Sequence, residues 1–291
     1  TTRGPPAVST EADLPVDMEN IYPVIMSGGD STRLFPVDKV LTPNLDASGQ
    51  GRSLMRQMFE RLTADKENGE YLPFKRFYML TAARIAGTVK EQLPEVPTEN
   101  LLSDPAKRNT FPAILWAMAH IKIQSNNPKA TLTVFGADQV VGDTPEFRRV
   151  VTETARVAQN AKSVVAIGIQ PSENPVQWTN YGAIQAPELA GVGRESRGMN
   201  RFVEKPNEEK AKDMIKEGGH YWNAGWFTFT IEALEEAMAT NQPEMFATYN
   251  EMVDAISRGD ADAAKTAFEK FPSKIKQKGT GAEVDNSMDY A

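Results

Sequence analysis

Apolar and polar positions along this chain follow two alternating periods. Residues 21–26 (IYPVIM) form a continuous apolar run, the pattern of a strand covered on both faces. The run opens into a small polar loop, 27–32, that carries Gly28 and Gly29, and Arg33 sits where the loop turns towards the next element. Residues 52–64 place Leu54, Met55, Met58, Phe59 and Leu62 at the spacing of a helix with one buried face. The stretch 74–81 (FKRFYMLT) reads as a strand and 100–103 as a shorter one. Residues 111–124 form a largely apolar helix with Pro112 near its start, where the missing N–H costs little. The run 131–137 (TLTVFGA) is a strand that ends at Asp138, 146–159 is a helix and 163–168 a strand. Regular strand–helix alternation predicts an α/β fold with a mostly parallel sheet covered by helices on both faces.

Beyond Gln170 the pattern changes. Short strands at 181–186 and 200–204 flank a Gly/Arg loop at 191–198, a charged helix covers 205–217, and 221–230 (YWNAGWFTFT) is an aromatic-rich strand. Residues 231–270 are strongly helical. This second half reads as a cover built onto one edge of the sheet. Residues 1–20, rich in Pro, Thr and acids, read as a flexible or loosely packed lead-in, leaving 21–291 as one domain.

Composition narrows the chemistry. With 291 residues, 40% hydrophobic and 24% charged, the chain has the make-up of an ordinary globular protein. Its net charge of −7 argues against a general nucleic-acid surface, while a local Lys/Arg cluster can still hold a small phosphorylated ligand. Without cysteine there is no disulfide, thiol nucleophile or Cys-ligated metal, and His120 and His220 alone make a histidine zinc site improbable. No apolar run approaches the roughly 20 residues that span a bilayer, and no signal-peptide pattern is read in 1–20. A cytoplasmic location is the default expectation, with no membrane partner.

In open α/β sheets, ligands bind outside the carboxyl ends of the strands. Three such ends carry marked polar groups: Ser27-Gly28-Gly29, Asp138, and Glu204-Lys205. The glycines let consecutive backbone N–H groups approach a phosphate, and Arg33 adds a planar charged fork; the competing reading is a tight turn with a solvated arginine. Asp138 suits Mg²⁺, which takes carboxylate and phosphate oxygens, or else caps the next segment. Lys205, set against Pro206 beside Glu204, could offer an ammonium to a phosphate and a carboxylate to sugar hydroxyls; a surface Glu-Lys pair is the plain alternative. Arg108, Asn109 and Thr110 precede a helix start, where anions are favoured, although Asn109 or Thr110 could serve only as the N-cap. In YWNAGWF, Asn223 and Gly225 mark a bulge or a close ligand approach.

The ordered series SGGDSTRLFP, RNTFPA, FGAD, NYGAIQ, RFVEKPN, YWNAGWFTF and NSMDYA resembles the sugar-1-phosphate nucleotidyltransferases, closest to the mannose-1-phosphate guanylyltransferase branch. The resemblance runs from about Ile21 to the end, and FVEKP with Trp-Asn-x-Gly is its most specific part. It implies a Rossmann-like α/β/α domain that transfers a nucleotidyl group from GTP to a sugar 1-phosphate with Mg²⁺, releasing pyrophosphate. It further implies that Ser27, Gly28, Gly29, Thr32 and Arg33 cradle the triphosphate, and that Arg108, Asn109 and Thr110 lie near guanine and ribose. On the same footing Gly182, Glu204 and Asn223 hold the sugar, Lys205 its phosphate, and Asp138 the metal, with Arg33, Lys205 and Asp138 closest to the chemistry. A homodimer is compatible with it.

Three departures from the family pattern stand out. Asp30-Ser31 replaces part of the Gly-Gly-x-Gly-Thr-Arg-Leu loop, and Pro43-Asn44 replaces the family's Pro-Lys, with Lys39 the nearest substitute. The family's late second metal-binding aspartate has no clear counterpart beyond Asp285 and Asp289. These departures keep a second expectation open: a catalytically degenerate, nucleotide-sugar-binding subunit. A nucleotidyltransferase with another base or an unusual sugar phosphate is a third.

Overall fold

The structure is a computed structural model that describes residues 14–27, 51–65, 69–186, 198–276 and 283–288. Gly28, Gly29, Thr32 and Arg33 lie outside the described residues, as do Asp30, Ser31, Lys39, Pro43, Asn44 and Asp289.

In chain order the strands are β1 (Ile21–Met26), β2 (Ala64–Asp65), β3 (Gly69–Glu70), β4 (Tyr78–Thr81), β5 (Leu101–Ser103), β6 (Thr131–Gly136), β7 (Val165–Ile169), β8 (Ala183–Gln185), β9 (Arg201–Val203), β10 (His220–Thr230), β11 (Lys274–Lys276) and β12 (Glu283–Asp285). The α-helices are α1 (Leu54–Thr63), α2 (Ala86–Gln92), α3 (Thr110–Ser125), α4 (Thr144–Ala161), α5 (Pro175–Trp178), α6 (Glu208–Glu217), α7 (Ile231–Asn241), α8 (Pro243–Ser257) and α9 (Ala261–Glu269). Among the described residues none of these helices is long and apolar enough to cross a membrane.

The main sheet is mixed, with strand order β5-β4-β1-β6-β10-β8-β9 and β7 paired to β10. Its first four strands are parallel, as the strand–helix alternation predicts. Burial on both faces explains why β1 reads as a continuous apolar run and why Thr81 of β4 and Thr131 and Thr133 of β6 are buried with their apolar neighbours. Pro23 is tolerated in β1 because β4 begins to pair only at Val24. One face of the sheet packs against α1, α2 and α4 through Met55, Met58, Phe135, Phe147, Val151 and Trp226. The other packs against α3, α7, α8 and α9 around Phe111, Met118, Phe229, Leu234, Tyr249 and Phe268. The result is a helix–sheet–helix sandwich of Rossmann-like type. Helix α3 is buried almost all round, which matches its lack of a polar face. In α1 the five buried residues are Leu54, Met55, Met58, Phe59 and Leu62, the set that the spacing selects.

The second half is not simply a cover on one edge. Its strand β10 runs antiparallel inside the sheet, next to β6, and carries β7 and β8 as further neighbours. An aromatic strand pattern holds no information about direction or neighbour, so only the register reveals this. Residues 74–76 form a 3₁₀ turn after Pro73 instead of starting the strand. The charged helix α6 starts at Glu208, not at 205, because the Asn207 side chain accepts from Lys210 N–H and caps it. The helical tail divides at Gln242-Pro243 and at Arg258-Gly259 into α7, α8 and α9. Within the lead-in, 14–20 is hydrogen-bonded to α4, where Gln159 exchanges two bonds with the Asp17 backbone and Asn160 donates to Leu14 O.

Candidate active site

Two cross-strand registers locate the site. Phe227 of β10 pairs with both Val134 of β6 and Ala166 of β7, and Trp222 pairs with both Ile169 of β7 and Ala183 of β8. Thus β7 lines one side of β10, while β6 and then β8 occupy the other. Where β6 stops and β8 has yet to start, the sheet opens opposite Asn223–Trp226. The register on β7 shifts between Asn223 and Phe227, a bulge that Gly225 makes possible at φ +68°. Asn223 Oδ1 accepts from Gly225 N–H at 3.0 Å, so the side chain of Asn223 helps to hold the bulge.

The sequence-predicted residues converge on this opening. Asn223 N–H donates to Gly182 O at 2.8 Å, one residue before β8 begins. The β8–β9 pairing of Ala183 with Val203 then carries Glu204 to the level of Gly182. Gly182 is there for lack of a side chain: a Cβ on it would stand 2.6 Å from the Phe202 ring and 2.8 Å from Glu204 Oε2. Lys205 follows with its Nζ 3.1 Å from Glu204 Oε1 and its side chain more than half exposed. The Lys205 backbone is left-handed, φ +43°, a region that costs a non-glycine residue on the order of 1 kcal/mol.

Asp138 lies two residues past the end of β6. Its Oδ1 would be 3.2 Å from a Cβ on Gly136, so the carboxylate leans over glycine backbone at the strand end. The next residue bridges the opening, with Gln139 Nε2 donating to Ala224 O at 2.7 Å. Along the remaining parallel strands the same edge is continued by hydrogen bonds: Ala137 N–H to Met26 O, Ser27 N–H to Leu80 O, and Asp104 N–H to Thr81 O. Ser27 is buried, and its hydroxyl also donates to Leu80 O, which fixes the strand end from which the glycine loop departs.

Arg108, Asn109 and Thr110 stand at the start of α3, and the side chains of the first two reach backbone carbonyls of 269–273. Arg108 Nη2 donates to Glu269 O at 2.8 Å and Asn109 Nδ2 to Ser273 O at 2.6 Å. Asn109 occupies the N-cap position, with φ +69° and no side-chain cap bond, and Thr110 is the first helical residue.

One group on this edge escaped the motif reading. Burial pushes the Asp104 carboxyl up to about 6, and among the described residues its Oδ1 has no hydrogen-bond partner. An isolated Asp before Pro105 gives no sequence signal of its own. Beside Asn223 lies an apolar cavity of about 240 Å³, lined in part by Phe111, Ile184, Phe202, Phe227 and Met288. Among the described residues no group of three His, Asp or Glu side chains is placed to hold a metal.

Comparison with known proteins bears on the same stretch. The nucleotidyl transferase family matches residues 22–266. The mannose-1-phosphate guanylyltransferase RfbM of Salmonella typhimurium is 31% identical over 257 residues, covering 87% of this chain and 51% of its own. The mannose-1-phosphate guanylyltransferase of Escherichia coli is 30% identical over 240 residues, 81% of this chain and 48% of its own. The alginate biosynthesis protein AlgA of Pseudomonas putida is 29% identical over 275 residues, 93% and 52%. The chain spans about half the length of the curated relatives it matches. A crystal structure described as a mannose-1-phosphate geranyltransferase from Thermus thermophilus superposes with TM-score 0.69 at 23% identity, over 87% of this chain and 68% of that one. At that identity the likeness is one of fold.

Proposed function

The chain belongs to the nucleotidyl transferase family, and from this premise we propose that it transfers GMP from GTP to a sugar 1-phosphate, mannose 1-phosphate or a close relative. Pyrophosphate is released and a GDP-sugar is formed. The observation that carries the reading is the register that sets Gly182, Glu204 and Asn223 around the opening at the end of β6, next to Asp138.

In the reaction a phosphate oxygen of the sugar 1-phosphate attacks the α-phosphorus of GTP in line. The bond from that phosphorus to the bridging oxygen of the β-phosphate breaks, and its electrons leave with pyrophosphate. Positioning and charge neutralisation supply the rate. Glu204, seated against the bare backbone of Gly182, accepts hydrogen bonds from sugar hydroxyls, and Asn223 presents its amide from the bulge. The Lys205 ammonium, held beside Glu204, orients the attacking phosphate and offsets its charge. Ser27, Gly28, Gly29, Thr32 and Arg33 receive the triphosphate. Because the Arg108 and Asn109 side chains are tied to Glu269 and Ser273, the 108–110 segment meets the nucleotide with its backbone and Thr110.

The donor set at Asp138, one carboxylate with no imidazole or thiolate, is of the hard-oxygen kind that Mg²⁺ takes. When bound there together with phosphate oxygens, Mg²⁺ would neutralise charge building up on the departing pyrophosphate. The test is pyrophosphate release in the presence of Mg²⁺, crossing GTP, ATP, UTP and dTTP against mannose 1-phosphate and glucose 1-phosphate. Turnover confined to GTP is the expected result; release with another nucleotide only would overturn the base assignment.

Asn44, where the family has lysine, favours a second reading: a subunit that binds nucleotide sugars without turning them over. It predicts no pyrophosphate release with any pair, tight GDP-mannose binding, and a large gain of rate on Asn44→Lys.

A further inference from the structure

The start of α3 is tied to the far end of the chain by a compact set of hydrogen bonds centred on Asn286. This residue is fully buried. Its N–H donates to Ser273 O at 3.0 Å, its carbonyl accepts from Phe111 N–H at 3.2 Å, and its Nδ2 donates to Pro272 O at 2.8 Å. Ser273 O also accepts from Asn109 Nδ2. One carbonyl therefore joins Asn286 to Asn109, and two residues further on Asn286 holds the second amide of the same helix. The pairing of Lys274 with Asp285 places Asn286 and Ser273 at the open end of the β11–β12 hairpin, so the clamp is braced by that ladder. Arg108 adds a further tie through Glu269 O.

We propose that Asn286 is a positioning residue for the nucleotide. The inference rests on the reading above that 108–110 faces the nucleotide. Asn109 is held at φ +69° without a side-chain cap: its Nδ2 donates to Ser273 O, and the first-turn N–H of Phe111 finds its acceptor in Asn286 O. By fixing the 272–273 backbone and the Phe111 amide, Asn286 sets the path of the intervening residues Asn109 and Thr110. Loss of its side chain removes the bond to Pro272 O while its backbone bonds to Ser273 and Phe111 remain, which loosens the 272–273 peptide that presents the acceptor to Asn109. The sugar subsite, built on β8, β9 and β10, shares no hydrogen bond with this clamp among those described. An effect on the nucleotide should thus be separable from an effect on the sugar phosphate.

The experiment is GTP binding by calorimetry, with steady-state KM values for GTP and mannose 1-phosphate, on the wild-type chain, Asn286→Ala and Asn109→Gly. Glycine at 109 keeps the left-handed backbone and removes only the bond to Ser273, so this second variant still reports if Asn286→Ala folds poorly. The expected result is a rise of about tenfold in the GTP Kd and KM for both variants, the size of one or two lost hydrogen bonds, with the mannose 1-phosphate KM moved by less than about twofold. Equal changes in both KM values would overturn the proposal. So would an unchanged GTP Kd with only a lower Tm. Absence of GTP binding by the wild-type chain would instead overturn the proposed function, and this inference with it.

Discussion

Glu204 Oε2 stands 2.8 Å from the point where a side chain on Gly182 would begin. The Phe202 ring lies on the same point at 2.6 Å, so Gly182 is a floor that must stay bare for Glu204 to remain where it is. Gly182→Ala forces the ring, the carboxylate or both to move. Overpacking of this kind costs about 1–3 kcal/mol. The expected kinetic result is a rise of about tenfold or more in the sugar 1-phosphate KM with the GTP KM little changed; equal effects on both would break the link between Gly182 and the sugar.

Lys205 trades stability for position. Its φ of +43° precedes Pro206, and nothing in a lysine side chain relieves that conformation. Lys205→Gly should therefore raise Tm slightly, by the gain of about 1 kcal/mol that relief of left-handed strain provides, while kcat/KM falls at least about a hundredfold. Lys205→Ala should lose the same activity without the gain in Tm. A Tm for the glycine variant at or below that of the alanine variant would show that the strain is absent.

Asn223 combines two tasks that one atom separates. Its Oδ1 accepts from Gly225 N–H, and the proposed function assigns its amide nitrogen to the sugar. Asn223→Asp keeps the acceptor and replaces the donor by a negative charge. Tm should stay within a few degrees of wild type, and the sugar 1-phosphate KM should rise by about tenfold or more through repulsion of its phosphate. A large fall in Tm with unchanged KM would assign Asn223 to the fold alone.

The Asp104 carboxyl, pushed up to about 6 by burial, links stability to pH. Unfolded aspartate titrates near about 4, so the folded chain binds the proton more tightly between those values. By linkage, stability falls as pH rises from about 4 to about 6 and then levels off. Asp104→Asn removes the ionised form: the variant should be more stable than wild type at pH 8, and the two should converge near pH 4. Melting curves measured across that range decide it, and a Tm difference independent of pH would contradict the burial.

The parallel half of this fold is legible in the sequence because each of its strands is an apolar run ending in a polar or small residue, as at Met26-Ser27 and Gly136-Asp138. Helix α1 is legible for the same reason, its five apolar positions all turning inward. Much less can be read of α2, whose seven residues bury Val89 alone. The motifs named Gly182, Glu204 and Asn223, but their convergence depends on β6 and β8 sharing one side of β10, a fact of register that no local pattern encodes. The fate of Arg108 and Asn109 was equally hidden. Their partners, Glu269 and Ser273, are 161 and 164 residues away, and a helix start preceded by Arg-Asn gives no sign of them.

The most direct measurement of the central claim is ³¹P NMR of the protein mixed with GTP, mannose 1-phosphate and Mg²⁺. The account predicts that the coupled doublets of a nucleoside diphosphate sugar and the pyrophosphate resonance grow together, in equal amounts, as both substrates decline. Pyrophosphate or phosphate accumulating without the sugar nucleotide, or both substrates persisting unchanged, would contradict it.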